Sequence, residues 1–88
     1  MEVKKGKNCY YIGESEEDYK GILQYEDKGD IIDALHTIVK PEYGGQGLAG
    51  ELVDKLVSDA RDNNKKIKAT CSYVEKKIAS SEFDDVRV

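Results

Sequence analysis

Tryptophan is absent from this sequence, and proline, histidine, methionine and phenylalanine occur once each in 88 residues. Two cysteines are too few for a multi-disulfide scaffold or a four-cysteine zinc site, and a single histidine excludes multi-histidine metal chemistry. No metal is expected. No apolar run approaches the roughly 20 residues that span a bilayer, and Met1-Glu2-Val3-Lys4 does not lead into the apolar stretch of a secretion signal. A cytoplasmic protein without membrane contact is the expectation. An excess of basic charge is missing as well. Lys and Arg number 14 against 18 Asp and Glu, a net charge of −4, which argues against a nucleic-acid binder that relies on general basicity. What remains is one domain, residues 1–88, with 39% hydrophobic and 36% charged residues. A chain of this size closes a single small core, and a monomer is expected.

Strand formers open the chain at Asn8-Cys9-Tyr10-Tyr11-Ile12, where Cys9 reads as core. Gly13 and the acidic run Glu14, Glu16, Glu17, Asp18 break that segment. Tyr19, Gly21, Leu23 and Tyr25 alternate with Lys20, Ile22 and Gln24, the period of two that marks a strand. Glu26-Asp27-Lys28-Gly29-Asp30 then supplies a turn whose glycine can take positive φ. Ile31 to Val39 is the most apolar strand candidate, and it ends at Lys40-Pro41 because proline has no ladder donor. Three strands on short turns predict an antiparallel meander. The period then changes: Leu48, Leu52, Val53, Leu56, Val57 and Ala60 form one helical stripe that Asn63-Asn64 ends. A short strand follows at Ile67 to Cys71. Ser72 and Glu75 have the spacing of a capping box and predict a second helix from Tyr73 to about Ala79. Phe83 to Val88 reads as an extended tail or C-terminal edge strand. The order predicts an α/β chain, a three-stranded antiparallel meander followed by α-β-α.

Four glycines crowd the window Tyr43-Gly44-Gly45-Gln46-Gly47-Leu48-Ala49-Gly50, between the best strand and the best helix. Glycines let a backbone approach a ligand closely, and the unpaired amides of the following helix make an anion site. A flexible capping turn is the plainer alternative; the composition favours a phosphate loop. Gly45, Gly47 and Gly50 spell a G-x-G-x-x-G. The dinucleotide fingerprint fails on context, since the next strand ends in Thr70-Cys71 where an acidic residue is required. A P-loop fails too, because no Lys-Ser or Lys-Thr pair follows the glycines.

His36-Thr37-Ile38-Val39-Lys40-Pro41-Glu42-Tyr43-Gly44-Gly45-Gln46-Gly47-Leu48-Ala49 resembles the acetyl-CoA motif of the GNAT acetyltransferase superfamily. There a strand ending in "h-T-x-V" is followed by "P-x-[YF]-R-G-x-G-[IL]-[GA]". The resemblance implies a minimal GNAT fold that binds acetyl-CoA. It assigns the strand end Thr37, Ile38, Val39 and Lys40 to the pantetheine arm, and Gly44, Gly45, Gln46, Gly47, Leu48 and Ala49 to the pyrophosphate. Gly44 departs from the [QR] that opens the family signature, which removes a side-chain contact and leaves the amides. Cys71-Ser72-Tyr73-Val74-Glu75-Lys76-Lys77 is similar to the tail "C-x-[YF]-[VA]-x-K" of a short, stand-alone branch that lacks the N-terminal acceptor-binding helices. No segment before Asn8 is expected to supply them.

Cys71 directly precedes a predicted helix start, where a thiolate is favoured. By resemblance the acetyl group lies beside it. Nucleophile, pocket-lining thiol and buried structural thiol all remain open for Cys71. His36 is the one side chain that ordinarily titrates near neutrality, and it stands as a general base for an amine or for Cys71, against a plain sheet histidine. Asp33 shares its strand and could deprotonate an acceptor, but it reads rather as a solvated residue near the turn. By resemblance Tyr73 is the acid for the leaving CoA thiolate, or a ring packed on the glycine loop. Lys76, with Lys77 beside it, is a candidate for the CoA phosphates. The leading reading is an N-acetyltransferase that moves acetyl from acetyl-CoA to a small amine, a protein amine or its own Cys71, with Cys71 as one route to the acceptor. The alternative is a non-catalytic module that binds or senses acetyl-CoA. A CoA-independent interaction module would make the glycine loop a coincidence.

Overall fold

The computed structural model describes residues 2–88. A five-stranded sheet runs in the order β1 (Lys4–Gly6), β2 (Cys9–Gly13), β3 (Tyr19–Asp27), β4 (Ile31–Val39), β5 (Lys66–Ala69). The first four strands are antiparallel, and β5 lies parallel to β4. Helix α1 (Leu48–Asp62) makes the crossover between β4 and β5, and α2 (Ser72–Lys77) follows β5. The meander is thus one strand longer than its sequence pattern suggested. Lys4-Lys5-Gly6 has no apolar alternation; it pairs as the outer edge of β2, turning at Asn8 with φ 57°. Asparagine tolerates that left-handed conformation.

One core lies between the sheet and the helices. Tyr10, Ile12, Leu23, Tyr25, Ile32 and Ala34 from the sheet meet Leu48, Leu52, Val53, Leu56, Val57 and Ala60 from α1, the stripe whose period predicted the helix. Tyr10 also ties α1 to the sheet, donating from its hydroxyl to Asp59 Oδ2 at 2.7 Å. Burial, and then that carboxylate, push its phenol well above the ordinary tyrosine range.

Two expectations at the C-terminal end need correction. The Ser72–Glu75 capping box does not form, because α2 starts one residue early. Cys71 is its N-cap, no side chain caps it, and the amide of Glu75 donates to the Cys71 carbonyl. The edge strand contracts to a single bridge between Ile67 and Arg87. Residues Ser81–Phe83 coil into a 3-10 turn instead, and Arg87 spends its guanidinium on the carbonyls of Ile78, Ala79 and Ser80.

The pairing of β4 with β5 is short. It ends at Ala34 opposite Ala69, where the amide of Cys71 donates to the Ala34 carbonyl at 2.9 Å. Beyond that point β4 continues to Val39 with β3 alone beside it. The two strands part, and a cleft opens at their carboxyl ends.

Candidate functional site

A β-bulge decides which residues face the cleft. Gln24 pairs with His36 and Tyr25 with Ala34, so Leu35 has no partner. A bulged residue inverts the alternation that follows it. Counting by two from the buried Ile32 and Ala34 would send His36 and Ile38 toward the helices. After Leu35 it is Thr37 and Val39 that face them, and His36 and Ile38 that face away, Ile38 at 43% exposure. The main chain has its own phase. The amide of Lys40 donates to the Lys20 carbonyl at 3.0 Å. Antiparallel hydrogen bonds alternate, so the N–H and C=O groups of Thr37 and Val39 point away from β3 into the cleft. Those groups are suited to an extended amide chain such as pantetheine.

The glycine loop lies at the cleft's outer end. Pro41–Tyr43 form a 3-10 turn, and the Gly44 amide donates back to the Pro41 carbonyl. Gly45 and Gly47 hold φ of 79° and 78°, with nothing within 4 Å of where a Cβ would stand. Both positions require glycine on conformational grounds, and both leave room for a ligand. Gly47 caps α1, whose first internal bond is Glu51 N–H to the Gly47 carbonyl. The amides of Leu48, Ala49 and Gly50 therefore start the helix without intrahelical partners. Leu48 is buried, so its amide is what it can offer a ligand. Gln46 is exposed.

Helix α2 contributes Tyr73 and Lys77, four residues apart and so on one face. Lys77 Nζ and Tyr73 Oη lie 3.6 and 3.8 Å from the position of a Cβ on Gly50. The third glycine of the G-x-G-x-x-G thus seats α2 against the first turn of α1. Lys76, the lysine favoured by sequence, points about 100° around the helix from Lys77. A cation over the start of α1 meets the positive end of the helix dipole, a placement that a bound anion would relieve. The i, i+4 spacing of Tyr73 and Lys77 was the sequence signal for this pair.

Where the strands part, Cys71 Sγ lies 3.6 Å from Thr37 Oγ1. Burial of this half-buried thiol opposes its ionisation and is the largest single influence on it. The Val74 amide, the Thr37 hydroxyl and the amides of Tyr73 and Thr37 together outweigh it, and the thiol's pKa is lowered. The six residues of α2 add little dipole; specific donors do this work. The pairing of Cys71 with His36 does not form, because the bulge turns His36 to the opposite face of the sheet. Asp33 is corrected too: it is 5% exposed rather than solvated, and its Oδ1 accepts from the Thr70 hydroxyl at 2.5 Å. Among the described residues no group of three or more His, Cys, Asp or Glu could hold a metal, and no helix is long and apolar enough to cross a membrane.

Comparison with known proteins agrees with this geometry. The family model of the GCN5-related N-acetyltransferases matches residues 9–86. The chain is also similar to the NMR solution structure of a GCN5-like protein from Staphylococcus aureus, with 35% identity and a TM-score of 0.80 over 99% of this chain and 87% of that one. No curated protein matches. The splayed parallel strands, the glycine loop at a helix start and the motif from His36 to Ala49 all lie inside the matched span, and the chain belongs to the GCN5-related N-acetyltransferase family.

Proposed function

We propose that this protein binds acetyl-CoA in the cleft between β4 and β5 and passes the acetyl group through Cys71 to an amine. The single observation that carries the reading is the thiol of Cys71 at the parting of the strands, 3.6 Å from the Thr37 hydroxyl and with its pKa lowered. The main chain of Thr37 and Val39, with Ile38 and Lys40 as their neighbours, receives the pantetheine arm. Amides from Gly45 to Gly50 receive the pyrophosphate, and Lys77 adds a positive charge beside them.

In the first step the Cys71 thiolate attacks the carbonyl carbon of the thioester. The new S–C bond forms as the bond to the CoA sulfur breaks, and the departing thiolate takes its proton from Tyr73 or water. One thioester replaces another, so positioning and not driving force governs this step. In the second step the amine nitrogen attacks the acetyl carbon, an amide forms, and the Cys71 thiolate is restored while the ammonium proton passes to solvent.

Incubation with acetyl-CoA followed by intact mass tests the proposal. One acetyl group should appear on Cys71, with an equivalent of free CoA. Hydroxylamine should remove it, and Cys71→Ala should lack it while still binding acetyl-CoA. No adduct at high acetyl-CoA would contradict transfer through Cys71. The position of His36 on the far face of the sheet favours a second reading, a module that binds acetyl-CoA without turnover, since no histidine serves the thiol. That reading predicts binding with no adduct and no release of CoA.

A further inference from the structure

We infer that Asp33 is a positioning residue for Cys71, acting through the hydroxyl of Thr70. The inference rests on the reading of Cys71 as the acyl-accepting thiol. Asp33 is the buried charged residue among those described, and a buried carboxylate is costly unless its oxygens are satisfied. Its Oδ1 accepts from Thr70 Oγ1 at 2.5 Å, and its Oδ2 lies 3.7 Å from Lys28 Nζ. Lys68 stands beside it on β5 and Glu26 on β3. The Thr70 hydroxyl, and then the two lysines against the opposing cost of burial, lower its pKa, so the carboxylate is charged at neutral pH.

Two consecutive residues of β4 grip two consecutive residues of the chain that leaves β5. Asp33 holds Thr70 by its side chain, and Ala34 holds the amide of Cys71 by its carbonyl. Both grips precede the bulge at Leu35, and the contact of Cys71 with Thr37 follows it. The thiol's placement against Thr37 is therefore set by how firmly residues 70 and 71 are held. With Thr70 released, the bond from the Cys71 amide to the Ala34 carbonyl would be left to tie residues 70 and 71 to β4 ahead of the bulge, and the 3.6 Å sulfur contact has little slack to lose.

Coulomb's law and positioning predict opposite signs. A negative charge near a thiolate disfavours it, so neutralising Asp33 by charge alone would lower the Cys71 pKa. Loss of positioning removes donors from the thiolate and raises it. The test is the pH profile of iodoacetamide alkylation at Cys71, read by peptide mass, in the parent chain and in Thr70→Val, Thr70→Ser and Asp33→Asn. Thr70 is exposed, so Thr70→Val keeps shape and removes only the donor. We expect Thr70→Val to shift the profile to higher pH and to slow alkylation at pH 7 by about threefold, the change that half a pKa unit brings. Asp33→Asn keeps an oxygen that accepts from Thr70 and loses only the charge, so it should not shift the profile upward. Thr70→Ser should restore the parent profile. An unchanged or lower midpoint in Thr70→Val overturns the role of Asp33 while the Cys71 reading stands. A parent Cys71 that titrates like an ordinary thiol overturns both.

Discussion

The two cysteines differ in what faces their sulfur. Cys9 donates to the Glu16 carboxylate at 3.2 Å, and burial with that neighbour pushes its thiol up to about 11. Cys71 faces a hydroxyl and several amides, and its pKa is lowered. At pH 7 iodoacetamide should therefore modify Cys71 in the folded chain and leave Cys9 untouched until the chain unfolds; equal modification would contradict the contrast. The same asymmetry gives a sign for stability. Between the folded and the ordinary thiol pKa of Cys71 the unfolded chain holds more protons, so this thiol's contribution is present above about 8.5. It is lost as pH falls through the folded value. Cys9 as core was legible from its strand, but the partners of Cys71 were not. Thr37 lies 34 residues away in sequence and Asp33 lies 37 from Thr70, separations that only the parallel pairing of β4 and β5 closes. His36 was misplaced for a different reason: nothing in Ile31 to Val39 signals the bulge that reverses its face.

At the scale of elements, α1 is held against the sheet by its apolar stripe and by the bond from Tyr10 to Asp59. Tyr10→Phe keeps the ring's contact with Tyr25, 5.1 Å between centroids, and removes the bond. It should cost about 1 kcal/mol, measured by urea unfolding; no change would mean that water replaces the hydroxyl. Gly50 makes a sharper case. It is a helical residue without positive φ, and a Cβ there would meet Lys77 and Tyr73 at ordinary van der Waals distances. Gly50→Ala should stabilise the fold by up to about 1 kcal/mol, the propensity difference within a helix. A loss of stability would mean that α2 cannot give way. Long periodic elements such as β3, β4 and α1 were readable because their own pattern fixes them. β1, the start of α2 and the tail depend on what their neighbours leave unpaired: an edge beside β2, a Cys71 carbonyl that takes the Glu75 amide, and a single bridge to Ile67.

For the molecule as a whole, the candidate site follows from unequal strand lengths. β4 spans nine residues and β5 four, so the parallel pair must part, and it parts where α1 begins and α2 returns. Ligands of open α/β sheets bind beyond the carboxyl ends of parallel strands, and that is where Thr37, Cys71 and the glycine loop come together. A surface hollow of about 430 Å³ beside Ala60, Arg61 and Asp85 lies instead at the far end of α1, and its Arg61 and Asp85 already pair with each other. An amide-resolved NMR titration with acetyl-CoA separates the two places in one measurement. Binding between β4 and β5 predicts the largest shifts at Thr37, Val39, Gly45 to Gly50 and Cys71, with the amides around Arg61 unmoved. Shifts centred on the Arg61 hollow, or none at saturating acetyl-CoA, would contradict it.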